Sequence, residues 1–147
     1  MSERLKKRVE QLRLLIGTLE ECSALMRYRA LPTDELIRAL CARPALSGSA
    51  FLRLLGDETE GETALREAWS RAAEEAPYFS EDDRRILFYL GERLGTTDSD
   101  GQLSLFALCR TFAEKNLADA EEAYRGKGTL VKKTAILCGA AAAILIL

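Results

Sequence analysis

The stretch from Glu3 to Tyr28, ERLKKRVEQLRLLIGTLEECSALMRY, decides the fold because it predicts a long helix with one apolar face. Its apolar residues recur at spacings of four and three: Leu5, Val9, Leu12, Ile16, Leu19 and Met26. Ser23 occupies the one position of this series that is not apolar. The series is typical of an amphipathic α-helix. A helix of this length extends for about 39 Å. Leu31 and Pro32 are expected to end it.

The rest of the chain repeats the helical pattern. A second long helix is predicted over residues 99–125, with Gly126 and Gly128 loosening the chain behind it. Four short helices lie between the two long ones: one from Thr33 to about Ala42 that Pro44 ends, one from Ser47 to Leu55, one around Trp69 that Pro77 ends, and one from Ser80 to Leu94. No segment alternates like a strand. The sequence therefore predicts an all-α helical bundle of about six helices, built around an αα-hairpin of the long pair.

Several residues are typical of helix ends. Thr33 is predicted to cap the second helix, and Gly56 to follow the third. Ser80 and Asp83 have the spacing of a capping box, although Asp replaces the usual Glu. Gly95 is predicted to end the fifth helix in a left-handed conformation.

The charged residues are unevenly distributed, although the net charge of the 147-residue chain is only −2. Residues 57–83 carry a local net charge of −8, and this segment is a candidate for docking a basic partner. Both ends are basic, through Arg4, Lys6, Lys7, Arg8 and Arg13 at one and Arg125, Lys127, Lys132 and Lys133 at the other. The ends are either ordinary solvated surface or a contact for anionic lipid. This balance does not indicate binding to nucleic acid.

The residue types do not form a catalytic or metal site. The chain has no histidine, and none of its four cysteines forms a C-x-x-C pair, so neither a zinc site nor a Cys–His nucleophile is expected. Cys22, Cys41 and Cys109 fall on apolar helix positions, where a thiol acts as a small core residue. The acidic pairs 20–21, 74–75 and 82–83 are expected to be exposed, and Tyr28 and Trp69 to be core or boundary residues. We therefore predict no enzyme activity, cofactor, metal or small-molecule substrate.

The end of the chain is its most apolar part. Fourteen uncharged residues follow Lys132 and Lys133: Thr134, Ala135, Ile136, Leu137, Cys138, Gly139, Ala140, Ala141, Ala142, Ala143, Ile144, Leu145, Ile146 and Leu147. As a helix they cover about 21 Å, less than the roughly 30 Å of a bilayer core, so a buried core helix is one interpretation. The other is a membrane anchor over residues 129–147, flanked by Arg125, Lys127, Lys132 and Lys133. Snorkelling lysines would lengthen this anchor, and a helical domain over residues 1–128 would then lie in the cytoplasm.

The order of these segments resembles the stage III sporulation protein AB family. The resemblance is carried by QLRLLIGTLEECSALMRYRALPTDELIRAL (residues 11–40), ALREAWSRAAEE (64–75) and LGERLGTTDSDGQLSLF (90–106), followed by a charged helix and an apolar end. The last of the three contains the family pattern L-G-x-x-D-x-x-x-Q, here Leu94, Gly95, Asp98 and Gln102. A structural role is expected for these four: Gly95 ends a helix, Asp98 caps the next one, and Gln102 bridges back to the loop.

The resemblance implies a membrane protein of the outer forespore membrane, with its helical domain in the mother-cell cytoplasm. It also implies protein partners in the mother cell–forespore channel, above all the hexameric secretion-type ATPase stage III sporulation protein AA. The domain would act as a platform like those of type II secretion and type IV pilus systems. Family members begin with a transmembrane helix, whereas this sequence begins MSERLKKRVEQL, so the tail is expected to be one half of an anchor. A subunit of a secretion or pilus system, and a soluble helical adaptor that buries its tail, are the alternatives.

Overall fold

The computed structural model describes residues 2–56 and 62–146, and the side chains of residues 3–56 and 64–126. Over these ranges the secondary structure is helical and contains no strand, as predicted. The elements are α1 (Ser2–Arg29), α2 (Thr33–Cys41), a 3-10 turn (Pro44–Leu46), α3 (Ala50–Leu55), α4 (Glu62–Glu75), α5 (Glu81–Arg93) and α6 (Ser99–Ile146).

The two long helices, α1 and α6, pack against each other and form the centre of the molecule. Arg13 pairs with Glu121 at 2.8 Å and Glu20 with Arg110 at 3.6 Å, so the two helices run antiparallel. The predicted apolar face of α1 is buried here, and Leu12 and Leu19 are fully inaccessible to solvent. Each such leucine contributes roughly 1.5–3 kcal/mol to the burial free energy. The predicted αα-hairpin is confirmed as the framework of the bundle.

The short helices form a second layer on this pair. The helix α3 packs on α4, α4 on α5, and α5 on α6, while α2 contacts α1. Trp69 lies in the middle of this layer, donates its indole N–H to the Leu87 carbonyl at 2.7 Å, and meets the Phe51 ring edge-on at 4.8 Å. The expectation that Trp69 is a core residue is therefore confirmed.

Several helix ends differ from the predictions. Pro32, and not Thr33, occupies the N-cap position of α2, and no side chain accepts a capping hydrogen bond there. The chain from Ser47 is not yet helical, because Ser49 caps a shorter α3 by accepting the N–H of Leu52 at 3.2 Å. Pro44 does not simply end a helix but begins the 3-10 turn. Tyr28 is 79% exposed, whereas Leu25 and Met26 in the same last turn of α1 are buried, so Tyr28 does not share their buried face.

The helix α6 continues where the sequence predicted a break. It runs through Gly126 and Gly128 to Ile146, because two glycines cost about 1 kcal/mol each and do not stop a helix that good helix formers extend on both sides. Among the described residues, no helix is long and apolar enough to cross a membrane. The side chains of the predicted anchor, residues 129–147, lie outside the described ones.

Candidate functional site

A buried polar network joins α1, α5 and α6. The Asp83 carboxylate, fully inaccessible to solvent, accepts hydrogen bonds from Arg8 Nε at 2.8 Å and Arg8 Nη2 at 3.1 Å. It also accepts the amide of Asn116 at 2.8 Å and the backbone N–H of Ser80 at 2.9 Å. Arg8, Ser80, Asp83 and Asn116 thus form one network that fixes three helices relative to one another. We refer to these four residues as the polar network.

The predicted capping box at the start of α5 is part of this network and is confirmed. The Ser80 hydroxyl accepts the Asp83 N–H at 3.2 Å, while the Asp83 side chain accepts the Ser80 N–H. The expectation that both members of the pair 82–83 are exposed is wrong, however. Asp82 is exposed and pairs with Arg85, whereas Asp83 is buried because its partner Arg8 approaches from the other layer.

The network perturbs the acid–base behaviour of both charged groups. Burial alone would raise the pKa of the Asp83 carboxyl, but hydrogen bonds from Arg8 and the Ser80 backbone outweigh burial and hold that pKa below its usual value. The same hydrogen bond raises the pKa of the Arg8 guanidinium. The pair is therefore charged throughout the physiological range.

The four residues of the motif Leu94, Gly95, Asp98 and Gln102 lie together in the α5–α6 turn. Gly95 has a φ of +79°, which favours glycine, and follows the last turn of α5. Asp98 Oδ1 accepts the Gly101 N–H at 2.9 Å at the start of α6. Gln102 is 3% exposed; it accepts the Gly95 N–H at 3.0 Å and donates to Thr97 Oγ1 at 2.8 Å and to the Arg93 carbonyl at 3.3 Å. The motif residues hold this turn closed through hydrogen bonds to one another and to the backbone.

Three segments that are distant in sequence meet at one surface cleft of about 450 Å³. It is lined by Thr33, Asp34, Leu65, Arg66, Trp69, Gly91, Leu94 and Gly95. These residues come from the start of α2, from α4 and from the end of α5, which are the three segments that carry the family resemblance. Their meeting is not predictable from the sequence, because nothing in their spacing indicates a common cleft.

Two glycines allow the walls of this cleft to approach closely. A Cβ on Gly91 would lie 2.4 Å from Trp69 Cδ1 and Nε1, so the indole packs directly on the α5 backbone. A Cβ on Gly95 would lie 2.6 Å from Thr33 Oγ1, so the α5–α6 turn touches the start of α2. The motif turn is thus also a contact between helices.

The cysteines do not form a reactive centre within the described residues. Cys22 and Cys109 are buried, as expected for small core residues. Burial raises the pKa of both thiols, that of Cys109 to about 11. The expectation of a core position is wrong for Cys41, which is exposed. No cluster of histidine, cysteine, aspartate or glutamate that could hold a metal ion occurs among the described residues.

The predicted membrane-flanking residues are described only in part. Arg125 is exposed on α6, four residues beyond Glu121, which pairs with α1. The side chains of Lys127, Lys132 and Lys133, and of the apolar run 134–147, lie outside the described residues.

These features define a class of small α-helical bundle protein, in which two long antiparallel helices carry a layer of short ones. The chain belongs to the stage III sporulation protein AB family, whose family model matches residues 1–147. A solved structure of stage III sporulation protein AB is similar at 25% identity with a TM-score of 0.60, covering 81% of this chain and 97% of that one. No curated protein sequence is significantly similar to this chain. The family membership indicated by the sequence motifs is confirmed, and it assigns the chain a role in sporulation.

Proposed function

We propose that this sporulation protein is a non-enzymatic, membrane-anchored scaffold of the mother cell–forespore channel and the platform for a secretion-type ATPase. The observation that carries the proposal is the continuity of α6, which begins in the packed bundle at Ser99 and reaches Ile146 as one helix. Its last residues are an uncharged run in the sequence. A packed helical domain joined without a break to an apolar segment would suit a membrane-bound platform.

The polar network supports a scaffold role. It fixes α1, α5 and α6 through a buried ion pair and an amide, which cross-link helices distant in sequence. Such a domain can bear a partner on one side while its other end stays attached to the membrane. The outer forespore membrane is the proposed location, with the helical domain in the mother-cell cytoplasm.

The ATPase, stage III sporulation protein AA, is proposed from the family resemblance to secretion platforms. The exposed acidic side chains of the predicted acidic segment supply a candidate surface for it: Glu67, Glu74, Glu75 and Glu81. Arg84 donates to the carbonyls of Ala73 and Glu74 and so fixes the end of α4 that carries two of these glutamates. A basic surface on the ATPase would be complementary to this face.

Membrane anchoring can be tested by fractionating cells that express the full-length protein. We expect recovery in the membrane fraction that resists extraction with alkaline carbonate. Ala142→Arg, which places a charge within the apolar run, should shift the protein to a folded, soluble form. Recovery of the unaltered protein in the soluble fraction would contradict the anchor. It would favour an adaptor that buries its own tail.

The platform role can be tested by capture of the purified ATPase on the full-length protein in mild detergent, with and without ATP. We expect Glu74→Lys combined with Glu75→Lys to weaken capture. The matched control is Glu35→Lys combined with Asp100→Lys, which reverses two exposed acidic residues on α2 and α6. No capture by the unaltered protein in either nucleotide state, or equal loss with both double variants, would count against the proposed surface.

A further inference from the structure

Two segments of the chain, one at its start and one before its apolar tail, are far more basic than the rest. Residues 1–8 and 122–133 together carry a net charge of +6, whereas the whole chain carries −2. In sequence these segments are more than a hundred residues apart. They can act as one surface only if the fold places them close together.

The antiparallel packing of α1 and α6 brings the two basic segments to the same end of the molecule. The pairs Arg13–Glu121 and Glu20–Arg110 fix the register of the helices. By this register Arg4 lies level with about residue 128 of α6. The uncharged run from Thr134 then begins about 6 Å beyond the start of α1, measured along the axis of α6.

The basic residues of α1 divide into two groups by their contacts. Arg8 points into the polar network, with a side chain only 19% exposed, and Arg13 pairs with Glu121. Arg4 and Lys6 are exposed, and neither has an ion-pair partner within the described part of the chain. Lys7 is about 4.0 Å from Glu10, with its side chain 42% exposed. Arg4, Lys6 and Lys7 thus remain accessible to a partner at this end of the bundle.

We propose that the first two turns of α1 bind anionic lipid headgroups through Arg4, Lys6 and Lys7, on the surface of the bilayer that the tail of α6 enters. The proposal rests on the proposed membrane anchor for the placement of this surface. Each basic side chain near an anionic bilayer raises the partition constant roughly fivefold, and the effect is screened by salt. The contact would hold the start of α1 against the membrane as a second attachment beside the tail.

The experiment uses the full-length protein, diluted from mild detergent into preformed vesicles and recovered by flotation. Vesicles of phosphatidylcholine are compared with vesicles that contain 30% phosphatidylglycerol. We expect the unaltered protein to bind both and to prefer the anionic vesicles. Arg4→Gln combined with Lys6→Gln should lower the partition constant for anionic vesicles by about 25-fold, at roughly fivefold for each residue, and leave binding to neutral vesicles unchanged. The preference should disappear at 1 M salt.

The matched control is Arg27→Gln combined with Arg29→Gln, which removes two exposed arginines from the last turn of the same helix. Circular dichroism should report equal helix content for both double variants. The proposal is overturned if the unaltered protein has no preference for anionic vesicles, or if the control lowers the preference as much as the test variant. Binding to anionic but not to neutral vesicles would overturn the proposed tail anchor and retain the headgroup contact, so the two failures are distinguishable.

Discussion

The polar network yields the sharpest prediction, which concerns Arg8→Ala. This change removes two of the four donors to the Asp83 carboxylate and leaves Ser80 N–H and the Asn116 amide. Breaking a buried ion pair from one side costs about 3–5 kcal/mol. Because Arg8 is partly exposed and Asp83 keeps two donors, we expect the lower end, a loss of about 3 kcal/mol in the free energy of unfolding.

The measurement is chemical unfolding of the full-length protein in a non-ionic detergent, followed by fluorescence of its single tryptophan, Trp69. Arg85→Ala is the matched control, because it breaks an exposed pair with Asp82 and should cost less than about 0.5 kcal/mol. Equal losses of unfolding free energy in Arg8→Ala and Arg85→Ala would refute the stabilising role assigned to the Arg8–Asp83 pair.

The pH dependence gives an independent readout of the same pair. Because the folded pKa of Asp83 is lowered, its stabilising contribution is fully present above the unfolded value of about 3.9 and is lost as pH falls through the folded value. Arg8→Ala removes the main cause of that lowering. The difference in unfolding free energy between the two proteins should therefore shrink as pH falls from 5 to 3. A constant difference across this range would contradict the assigned role of Arg8.

Three further predictions concern the cleft, the motif and the thiols. Gly91→Ala should destabilise the fold by about 1–3 kcal/mol and change Trp69 fluorescence, because the added Cβ meets the indole. Gln102→Leu should cost about 1–3 kcal/mol in chemical unfolding, since it removes the three hydrogen bonds by which the buried Gln102 amide holds the α5–α6 turn. Alkylation followed by peptide mass spectrometry should modify Cys41 well before Cys109, whose thiol is buried with a raised pKa.

Each of these has a control in the same chain. Gly17→Ala places a Cβ at an ordinary 3.4 Å from Leu46 Cδ2 and should stabilise α1 by about 0.5–1 kcal/mol. Thr111→Ala removes an exposed hydrogen bond on α6 and should have little effect beside Gln102→Leu. Equal alkylation of Cys41 and Cys109 in the native protein would contradict the burial of Cys109.

The sequence predicted the helices well because their signals are local. The apolar periodicity of α1 and the Ser80–Asp83 spacing act within one or two turns, and both predictions held. The burial of Asp83 was mispredicted because its partner Arg8 is 75 positions away and Asp82 beside it is an ordinary exposed acid. Thr33 has the residue type of an N-cap, but Pro32 occupies that position and Thr33 is already the first residue of the helix.

The cleft between α2, α4 and α5 also depends on contacts between residues that are distant in sequence. Trp69 and Gly95 were each predicted from the sequence, as a core residue and a helix end, whereas no sequence signal pointed to Gly91. Their meeting depends on how α2, α4 and α5 stack, which is decided by packing between layers. The exposure of Tyr28 and Cys41 has the same origin, since apolar periodicity marks a face of a helix but not which residues at its edge the neighbouring helices cover.

The continuity of α6 has a mechanical consequence. A 48-residue helix is about 72 Å long, and a helix without a hinge transmits both rotation and translation. Inserting one residue between Gly126 and Lys133 would turn everything beyond it by 100° relative to the bundle and advance it by 1.5 Å. An insertion of four residues would bring the facing to within about 40° of the original and one of three to within about 60°, whereas one or two residues would leave it about 100° or 160° away. The direction in which the tail faces is therefore fixed by the register of α1 against α6. A rotation of the bundle about the axis of α6 would rotate the far end of that helix with it.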